Sequence, residues 1–418
     1  MTVPHHRQDR PALVLVDAFS TGSMLAREAA ETHRVLHVRS RDLASGTFGA
    51  SLPSALLAED LTYPGHEADV LAHLRARHPV GVVAASEFGV EVADELAHRL
   101  GLRGNDPALS AARRDKSLMM DALSRAGVPT ARQCRSGDPA ELLDWWRGHP
   151  DIARLVIKPL DSAGSDDVYT CDSEQEVLDA CRTVLGKTNI MLRVNEEVLA
   201  QEYLAGDEYI VNTVSRDGSH WFTDAWISRK QVREGGRRIY EAEDLLTPDD
   251  PVLDVVLPYV ARSLDALGIT DGPAHSELIR TERGPLLLET GARVSGLANP
   301  AALDMCTGAN QVSLTLDCHA GDGVRLAARP ARYPVLQRAR CVNLMARRAV
   351  PLPLAAITSA LERIPAFESV RFRIADGAPT RPTVDLNSSP GAVFLVHPDP
   401  AEIDNAHKVI RELEHELL

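Results

Sequence analysis

The chain lacks the sequence marks of several large protein classes. Its six cysteines are scattered without a CxxC pair, which argues against a zinc ribbon, a thioredoxin-like site and a secreted disulfide framework. Nowhere do 18 apolar residues run together, and the polar N-terminal segment has no apolar core of a signal peptide. We therefore expect no targeting or membrane segment, and reduced thiols in the cytoplasm.

Positive charge is also in short supply. The chain has 45 Lys and Arg against 59 Asp and Glu, a formal net charge of −14. A broad basic surface for nucleic acid or anionic membrane is therefore absent, and any phosphate must be held by local groups. The hydrophobic fraction of 44% is ordinary for a globular protein, and 418 residues predict two or three packed units.

Two common nucleotide-binding signatures are missing. Apolar runs at 12–18 and 80–86 alternate with helical patterns, which predicts a parallel α/β domain over residues 1–112. No GxGxxG follows either run, so a Rossmann dinucleotide site is not indicated. The GKT at 186–188 has Cys181 where a P-loop needs glycine, and it ends a helical segment.

Two lysines occupy positions suited to phosphate. Lys116 begins a predicted helix, and Lys158 ends the apolar strand LVIK just before the small-residue turn at 161–165. A buried ammonium needs a polar partner, and the backbone N–H groups of a turn with little side-chain bulk can approach an anion. These features indicate a phosphate clamp, and a plain hairpin turn with a surface lysine stays open as the alternative.

A second polar constellation lies in LAQEYLAGDEYIV. Glu202 and Glu208 stand on either side of Gly206, between strand-like residues. Such carboxylates can accept hydrogen bonds from ribose hydroxyls, while the backbone between them reads an adenine edge. Two exposed acids flanking a hairpin glycine are the alternative.

The strongest local feature is HSELIRTERGPLLLETGARVSG. His275, Glu277 and Ile279 alternate with residues of the opposite face along one strand, and Glu289 ends a second strand. Because ERG can close a hairpin between them, the two carboxylates are predicted to be cross-strand neighbours that hold Mg²⁺. Arg293, four residues after Glu289, can support negative charge during phosphoryl or acyl transfer. An ion pair between Glu289 and Arg293 is the alternative.

Five motifs in this order resemble the ATP-grasp superfamily, and within it the bacterial L-amino acid ligases. They are RRDKSLMMDALSRAGVP, VIKPLDSAGSDDV, QEYLAGDEYIV, HSELI and LLLETGAR, and the resemblance spans roughly residues 80–320. It implies an α/β and α+β fold with an N-terminal pre-ATP-grasp domain at 1–112. The ATP-grasp domain follows at 113–335, with a lid subdomain at about 130–204, and a C-terminal α+β subdomain at 336–418 packs on that core.

The resemblance also implies a role for each matched position. Lys116 and Lys158 look like nucleotide-phosphate lysines. Glu277 and Glu289 match the magnesium ligands, and Arg293 matches the arginine that stabilises the acyl phosphate. The remaining nucleotide-binding positions are the loop residues Ser162, Ala163, Gly164 and Ser165, the adenine hinge Glu202, Tyr203 and Leu204, and Glu208 at the ribose.

One position departs from the family pattern. Many ATP-grasp enzymes carry asparagine two residues after the second metal glutamate, and Gly291 stands there in this chain. Glu241 in RIYEAEDLL is our candidate for a further metal ligand, against an exposed acidic loop. Lys230 in ISRKQV is a candidate catalytic residue that reaches phosphate or a substrate carboxylate, against a solvated lysine.

The implied activity is that of an ATP-dependent carboxylate–amine ligase. ATP and Mg²⁺, or Mn²⁺, are the expected cofactors, and small carboxylates and amines, amino acids among them, are the expected substrates. Neither nucleic acid nor membrane is an expected partner, and a homodimer is left open. Two alternatives remain: an ATP-grasp ligase or carboxylase that tailors a larger natural-product acid, and an ATP-binding regulatory protein without turnover.

Overall fold

Three β-sheets carry the fold in the computed structural model, which describes residues 9–41, 47–162, 164, 166–232, 238–296 and 298–418. The strands are β1 (Ala12–Val16), β2 (Arg34–Arg39), β3 (Leu57–Thr62), β4 (Gly81–Ala84), β5 (Gln133–Ser136), β6 (Leu155–Pro159), β7 (Tyr169–Cys171), β8 (Val198–Glu202), β9 (Asp207–Arg216), β10 (Ser219–Val232), β11 (Arg238–Leu245), β12 (Gly272–Thr281), β13 (Gly284–Gly291), β14 (Arg338–Asn343), β15 (Phe367–Phe372) and β16 (Gly391–His397).

Helices cover or connect these sheets. They are α1 (Gly22–Thr32), α2 (Thr47–Ala50), α3 (Glu67–Arg75), α4 (Val90–Leu100), α5 (Lys116–Arg125), α6 (Pro139–Arg147), α7 (Glu174–Val184), α8 (Leu253–Ala266), α9 (Pro300–Thr307), α10 (Gln311–His319), α11 (Val324–Ala327), α12 (Leu354–Leu361) and α13 (Pro400–Leu417).

The first sheet is parallel and has the order β3-β2-β1-β4. All five residues of β1, ALVLV, are buried, as expected for a central parallel strand covered on both faces. The predicted α/β pattern of this region is therefore present, and the structure adds β3 and α3 to it.

The second sheet is antiparallel and has the order β5-β8-β6-β7. Helices α6 and α7 pack on it through a separate apolar cluster that includes Leu142, Leu155 and Val177. Its strands lie between residues 133 and 202, inside the segment expected to form the lid.

The third sheet has eight strands in the order β13-β12-β9-β10-β11-β14-β16-β15. Strand β14 pairs with β11 through the register Ala242↔Val342 and Glu243↔Cys341. Because this pairing crosses the boundary expected near residue 335, the C-terminal strands extend the central sheet instead of forming a sheet of their own.

Two further features bear on the sequence predictions. In the described part of the chain, no helix combines the length and apolar character needed to span a membrane. All six cysteines are free thiols, and five of them are buried.

Candidate active site

The two predicted metal glutamates face each other across the β12–β13 hairpin. Glu277 is paired with Glu289 in the antiparallel register, and directly opposed residues project from the same face of such a pair. Glu277 is held near His275, with Oε1 3.1 Å from His275 Nε2. Burial would raise the pKa of Glu277, but the His275 partner and the nearby cations Arg293 and Lys116 lower it.

Lys116 reaches this carboxylate pair from the first turn of α5. The Asp115 side chain caps the helix by accepting from the backbone N–H groups of Ser117 and Leu118. The Lys116 ammonium lies 2.6 Å from Glu289 Oε2 and donates to the Ser162 carbonyl at 2.9 Å. Burial alone would lower the pKa of Lys116, but the Glu289 carboxylate outweighs it and raises that pKa.

Lys158 is a buried cation with room for another acceptor. Its side chain is only 6% exposed, which is incompatible with a surface lysine, and its ammonium donates to Gln201 Oε1 at 3.0 Å. Burial lowers the pKa of Lys158 to about 8, and the neighbouring charge of Lys116 acts in the same direction. A phosphate oxygen would supply the anion that this ammonium lacks.

Arg293 is held by a carboxylate from the N-terminal domain. Its Nε donates to Glu87 Oε2 at 2.6 Å, and Glu87 also pairs with Arg114. Burial would raise the pKa of Glu87, but these two guanidinium groups lower it to about 2. The alternative of an ion pair between Arg293 and Glu289 is therefore wrong, since each of them has another partner.

Gly291 makes space for this arrangement. A Cβ atom built at Gly291 would lie 2.7 Å from Glu87 Oε2 and 3.3 Å from Arg293 Cζ. The absent asparagine of the family pattern is thus explained by packing, because the Glu87 carboxylate occupies the space into which a side chain would project.

Glu208 forms a second charged group beside the glutamate pair. It accepts from Lys230 Nζ at 2.5 Å and from Tyr240 Oη at 2.7 Å, and Lys230 lies over the Tyr240 ring at 4.5 Å. Burial raises the pKa of Glu208, and the charge of Glu277 adds to this effect against the opposing Lys230. Lys230 is therefore ion-paired within the site and is not a solvated lysine.

A buried hydrogen-bond chain fixes the His275 ring. Asn212 Nδ2 donates to Asp224 Oδ1 at 2.5 Å, which leaves Asn212 Oδ1 to face His275 Nδ1 at 2.8 Å. Since an amide oxygen only accepts, Nδ1 carries a proton and Nε2 is directed to Glu277. Asp224 also accepts from Trp226 Nε1 and Thr223 Oγ1, so its oxygens are satisfied.

In the segment expected to form the adenine hinge, the Glu202 carboxylate is held by protein cations. Both Glu202 oxygens are engaged, by Arg132 at 2.9 Å and Arg283 at 2.7 Å. Tyr203 stacks under the Arg154 guanidinium at 5.1 Å, and Leu204 packs against Ile279 and Leu286. The Glu202 side chain is thus already engaged, and binding of a nucleobase by the backbone of this segment stays a prediction.

The expected phosphate loop is described in part. Ser162 Oγ donates to Asp166 Oδ2 at 2.9 Å, and the Gly164 carbonyl accepts from Asn387 Nδ2 at 2.9 Å. Ala163 and Ser165 lie outside the described residues. The Asn387 contact ties this loop to the segment between β15 and β16, which the sequence did not predict.

Glu241 does not join the cluster. The register of β10 against β11 shifts so that Arg229 pairs with Ala242 and Lys230 with Tyr240, which leaves Glu241 in a bulge. Its carboxylate turns to α13, 3.6 Å from His407 and 3.7 Å from Arg411.

Glu243, two residues on, faces the site instead, and sequence reasoning missed it. Burial raises the pKa of Glu243 to about 8, against a weak opposing hydrogen bond from Asn343. The charges of Glu208 and Glu277 raise that pKa further. Glu243 lines the same space as Asn212 and Asp224, so its carboxyl lies on the same side of the sheet as the acidic group around Glu277.

The donor set suits a hard cation with open positions. Within the described ranges, no three His, Cys, Asp or Glu side chains converge on a point that could hold a metal ion. The Glu277–Glu289 pair offers oxygen ligands only, which is the chemistry that Mg²⁺ prefers when substrate phosphates and water complete its shell. The residues present therefore fit a magnesium ion that arrives with a nucleotide.

Comparison with known proteins identifies the class of enzyme. Residues 152–301 match the family model of the ATP-grasp domain. The chain belongs to the ATP-grasp family and is an ATP-dependent carboxylate–amine ligase. In particular, it is 32% identical over 415 residues to dapdiamide A synthase of Enterobacter agglomerans. This alignment covers 97% of this chain and 96% of that protein.

Solved structures confirm the predicted fold. The L-amino acid ligase from Bacillus licheniformis superposes with a TM-score of 0.74 at 18% identity, covering 96% of this chain and 97% of its own. Carboxyaminoimidazole ribonucleotide synthase from Aspergillus clavatus, solved with ATP, superposes with a TM-score of 0.70 at 15% identity, covering 98% and 99%. Both likenesses extend over nearly the whole chain, so the three sheets belong to one shared architecture.

Proposed function

We propose that this ligase joins the carboxylate of one small molecule to the amine of another through an acyl phosphate, with release of ADP and phosphate. Amino acids are the proposed substrates. The observation that carries the proposal is the Glu277–Glu289 pair, with Lys116 and Arg293 at its edges. The buried ammonium of Lys158 completes this group of cations around two carboxylates.

The chemistry follows from the poor electrophilicity of a carboxylate. A carboxylate oxygen attacks the γ-phosphorus of ATP, the bond to the β-phosphate oxygen breaks, and ADP leaves. The amine nitrogen then attacks the acyl carbon and expels phosphate, and the nitrogen loses a proton. Catalysis of this kind rests on positioning and charge neutralisation, without an enzyme nucleophile.

Each cation in the site has a role in this scheme. Lys116 and Lys158 bind the transferring phosphate, and Arg293 stabilises the negative charge on the acyl phosphate and the tetrahedral intermediate. Glu277 and Glu289 would hold Mg²⁺, or Mn²⁺ in its place. When bound, that ion neutralises phosphate charge and orients the triphosphate.

The test is a product analysis of the purified protein with ATP, Mg²⁺ and pairs of amino acids. We expect ADP and phosphate in equal amounts, released only when both a carboxylate and an amine are present. Formation of AMP and pyrophosphate would contradict the acyl-phosphate route. Binding of ATP without turnover across the whole panel would favour the regulatory alternative.

A charge-neutral variant connects this activity to the glutamate pair. We expect Glu289→Gln to lower kcat at least about a hundredfold, the order of effect of removing one preorganised electrostatic group. Glu282→Gln is the matched control, because Glu282 is an exposed residue in the turn of the same hairpin. Equal loss in both variants would point to damage of the hairpin and not to metal binding.

A second candidate concerns the size of the acid. The relative at 32% identity is named as the synthase of a single compound, dapdiamide A, which favours a ligase that tailors a larger natural-product acid. Product mass spectrometry separates the two candidates. Dipeptide masses from free amino acids support the first, and turnover confined to a larger acid supports the second.

A further inference from the structure

A short hairpin joins α7 to β8, and we call this segment, residues 187–195, the connecting hairpin. Its two arms pair through the bridge Thr188↔Val194. Inside the turn, Asn189 is buried, and its Oδ1 accepts from the backbone N–H of Met191 at 2.9 Å. The shape of the hairpin is therefore set by its own backbone and by one buried amide side chain.

The connecting hairpin holds the residues on both sides of the phosphate loop. Asn189 Nδ2 donates to the Asp161 carbonyl at 2.7 Å, and the backbone N–H of Ile190 donates to Asp166 Oδ2 at 3.1 Å. The Arg193 guanidinium lies 3.1 Å from Asp161 Oδ2. Contacts from three successive parts of the hairpin thus fix the beginning and the end of the loop.

The residues at the beginning of this loop also determine where the Lys116 ammonium lies. The Ser162 carbonyl accepts from Lys116 Nζ, and the Leu160 carbonyl accepts from the Lys116 backbone N–H, both at 2.9 Å. Asp161, between them, forms an ion pair with Arg114. A displacement of these three loop residues would therefore move a lysine that is expected to bind phosphate.

One apolar side chain anchors the connecting hairpin to the N-terminal domain. Met191 is 2% exposed and packs in a cluster with Phe19 and Phe88. A flexible thioether side chain suits such an aromatic pocket. The other apolar side chains of the hairpin, which is described throughout, are 36 to 56% exposed: Ile190, Leu192 and Val194. The hairpin thus buries its apolar surface mainly through Met191, and it does so in another domain.

Two polar contacts supplement this anchor. Arg41 Nη1 donates to the Met191 carbonyl at 3.0 Å, and the same guanidinium lies over the Phe88 ring at 5.2 Å. Arg193 also pairs with Glu91, but both side chains are exposed, so this pair contributes little. The connecting hairpin therefore contacts the N-terminal domain on one side and the phosphate loop on the other.

We propose that Met191 is a positioning residue of the ligase, whose burial between Phe19 and Phe88 holds the phosphate loop and Lys116 in place for the transferring phosphate. This inference rests on the proposed function. Met191 acts through Asn189, which bonds to the loop, and not by contact with the reacting atoms. Because a misplacement of about 1 Å can lower a rate about a hundredfold, loss of one apolar anchor is enough to affect ATP binding.

A loop that is not held in place also admits water to the acyl phosphate. Water would then attack this intermediate, break its bond to phosphate and return the free carboxylate, phosphate and a proton. ADP would be formed without amide. The ratio of ADP to amide therefore reports the position of the loop separately from the stability of the fold.

The test compares three variants of the full-length protein. Met191→Ala removes most of the anchor, and Met191→Leu keeps its apolar volume. Val194→Ala is the matched control, because Val194 belongs to the same hairpin and is 56% exposed. For each variant, KM for ATP, kcat and the ratio of ADP to amide are measured with a pair of amino acids that the wild type joins. Thermal unfolding verifies that each variant is folded at the assay temperature.

We expect Met191→Ala to raise KM for ATP about tenfold to a hundredfold and to release more ADP than amide. The fall in kcat at saturating ATP should be smaller than the rise in KM. Met191→Leu should recover most of both values, since swaps that conserve apolar volume are well tolerated. Val194→Ala should behave like the wild type. A merely structural role for Met191 would lower the unfolding temperature and leave the ratio of ADP to amide unchanged.

Three results would overturn the inference and leave the ligase proposal intact. They are an unchanged KM for ATP with equal amounts of ADP and amide in Met191→Ala, an equal loss in Val194→Ala, and an equal loss in Met191→Leu. The last two would show that the effect does not come from burial of the Met191 side chain.

Calorimetry with AMP-PNP, a non-hydrolysable ATP analogue, separates this inference from the proposed function. If the wild type binds AMP-PNP but joins no pair of amino acids, the proposed function is wrong. The affinity for AMP-PNP still tests Met191 in that case. Weaker binding by Met191→Ala than by Val194→Ala supports a positioning role for Met191, and equal binding overturns it.

Discussion

The contact between Glu87 and Arg293 joins the N-terminal domain to the site, and two different substitutions can break it. Glu87→Gln removes the charge that holds both Arg293 and Arg114. Gly291→Ala keeps every charge but places a Cβ atom 2.7 Å from Glu87 Oε2, too close for any real contact. The backbone at Gly291 does not have a positive φ, so the strain of an alanine is confined to its contacts with Glu87 and with Arg293, whose Cζ would lie 3.3 Å from the new Cβ atom.

The expected magnitudes follow from the burial of the three groups. Removal of one partner from a buried ion pair costs about 3–5 kcal/mol. Glu87 keeps 17% of its side-chain surface exposed, and a glutamine retains one acceptor oxygen, so we expect a loss of unfolding free energy near the lower end. Loss of one preorganised electrostatic group lowers kcat about 10²- to 10³-fold. This is the largest fall in kcat that we expect when Arg293 is still present but is no longer held in place by Glu87.

The assay is ADP release with a saturating donor and acceptor, next to thermal unfolding of each variant. We expect both variants to lower kcat and to approach Arg293→Ala, with Gly291→Ala losing less stability because Glu87 keeps its charge and its ion pair with Arg114. Glu91→Gln is the control. Both side chains of the Glu91–Arg193 ion pair are exposed, so this pair contributes at most about 1 kcal/mol to the unfolding free energy. Full kcat in Glu87→Gln together with an inactive Arg293→Ala would refute the view that Glu87 positions Arg293.

Three further predictions concern other parts of the site. Because the pKa of Lys158 is about 8 in the free protein and bound phosphate favours its charged form, ATP binding above pH 8 takes up a proton. Calorimetry should therefore show ATP affinity falling by up to about tenfold per pH unit above pH 8, and Lys158→Met should lose this slope. Asn387→Ala removes the donor to the Gly164 carbonyl, and we expect KM for ATP to rise several-fold with little change in kcat. An unchanged KM would show that this contact has no role in ATP binding. Arg113 is fully buried and donates to the Asp94 carboxylate and to the backbone carbonyls of Asp106 and Leu267. Arg113→Met should therefore lower the unfolding free energy by about 3–5 kcal/mol. A denaturant midpoint like that of the wild type would contradict this.

Features coded by local sequence were predictable. The alternation around Glu277, the run of leucines before Glu289 and the turn between them gave the register in which the two carboxylates oppose each other. Lys116 was recognisable as a helix start, since Asp115 caps that helix. The short apolar runs of the N-terminal segment likewise became the parallel strands β1, β2 and β4.

Features created by long-range packing were not predictable from one sequence. Glu87 and Arg293 are 206 residues apart, and the only signal at Glu87 is its place just after an apolar strand. Strand β11 escaped prediction because its charges interrupt the alternation, and its bulge decides that Glu243 and not Glu241 faces the site. A local pattern cannot reveal a bulge whose cause is the register of the neighbouring strand.

The eight-stranded sheet runs without a break from the glutamate pair to the C-terminal strands. Strands β12 and β13 at one end hold the glutamate pair, while β11, β14 and β16 place Glu243, Cys341 and Phe394 near Asn212 and Asp224. Backbone ladders connect the two regions through β9 and β10. Exchange of the whole segment after residue 335 would therefore break the β11–β14 pairing, in which Glu243 stands opposite Cys341.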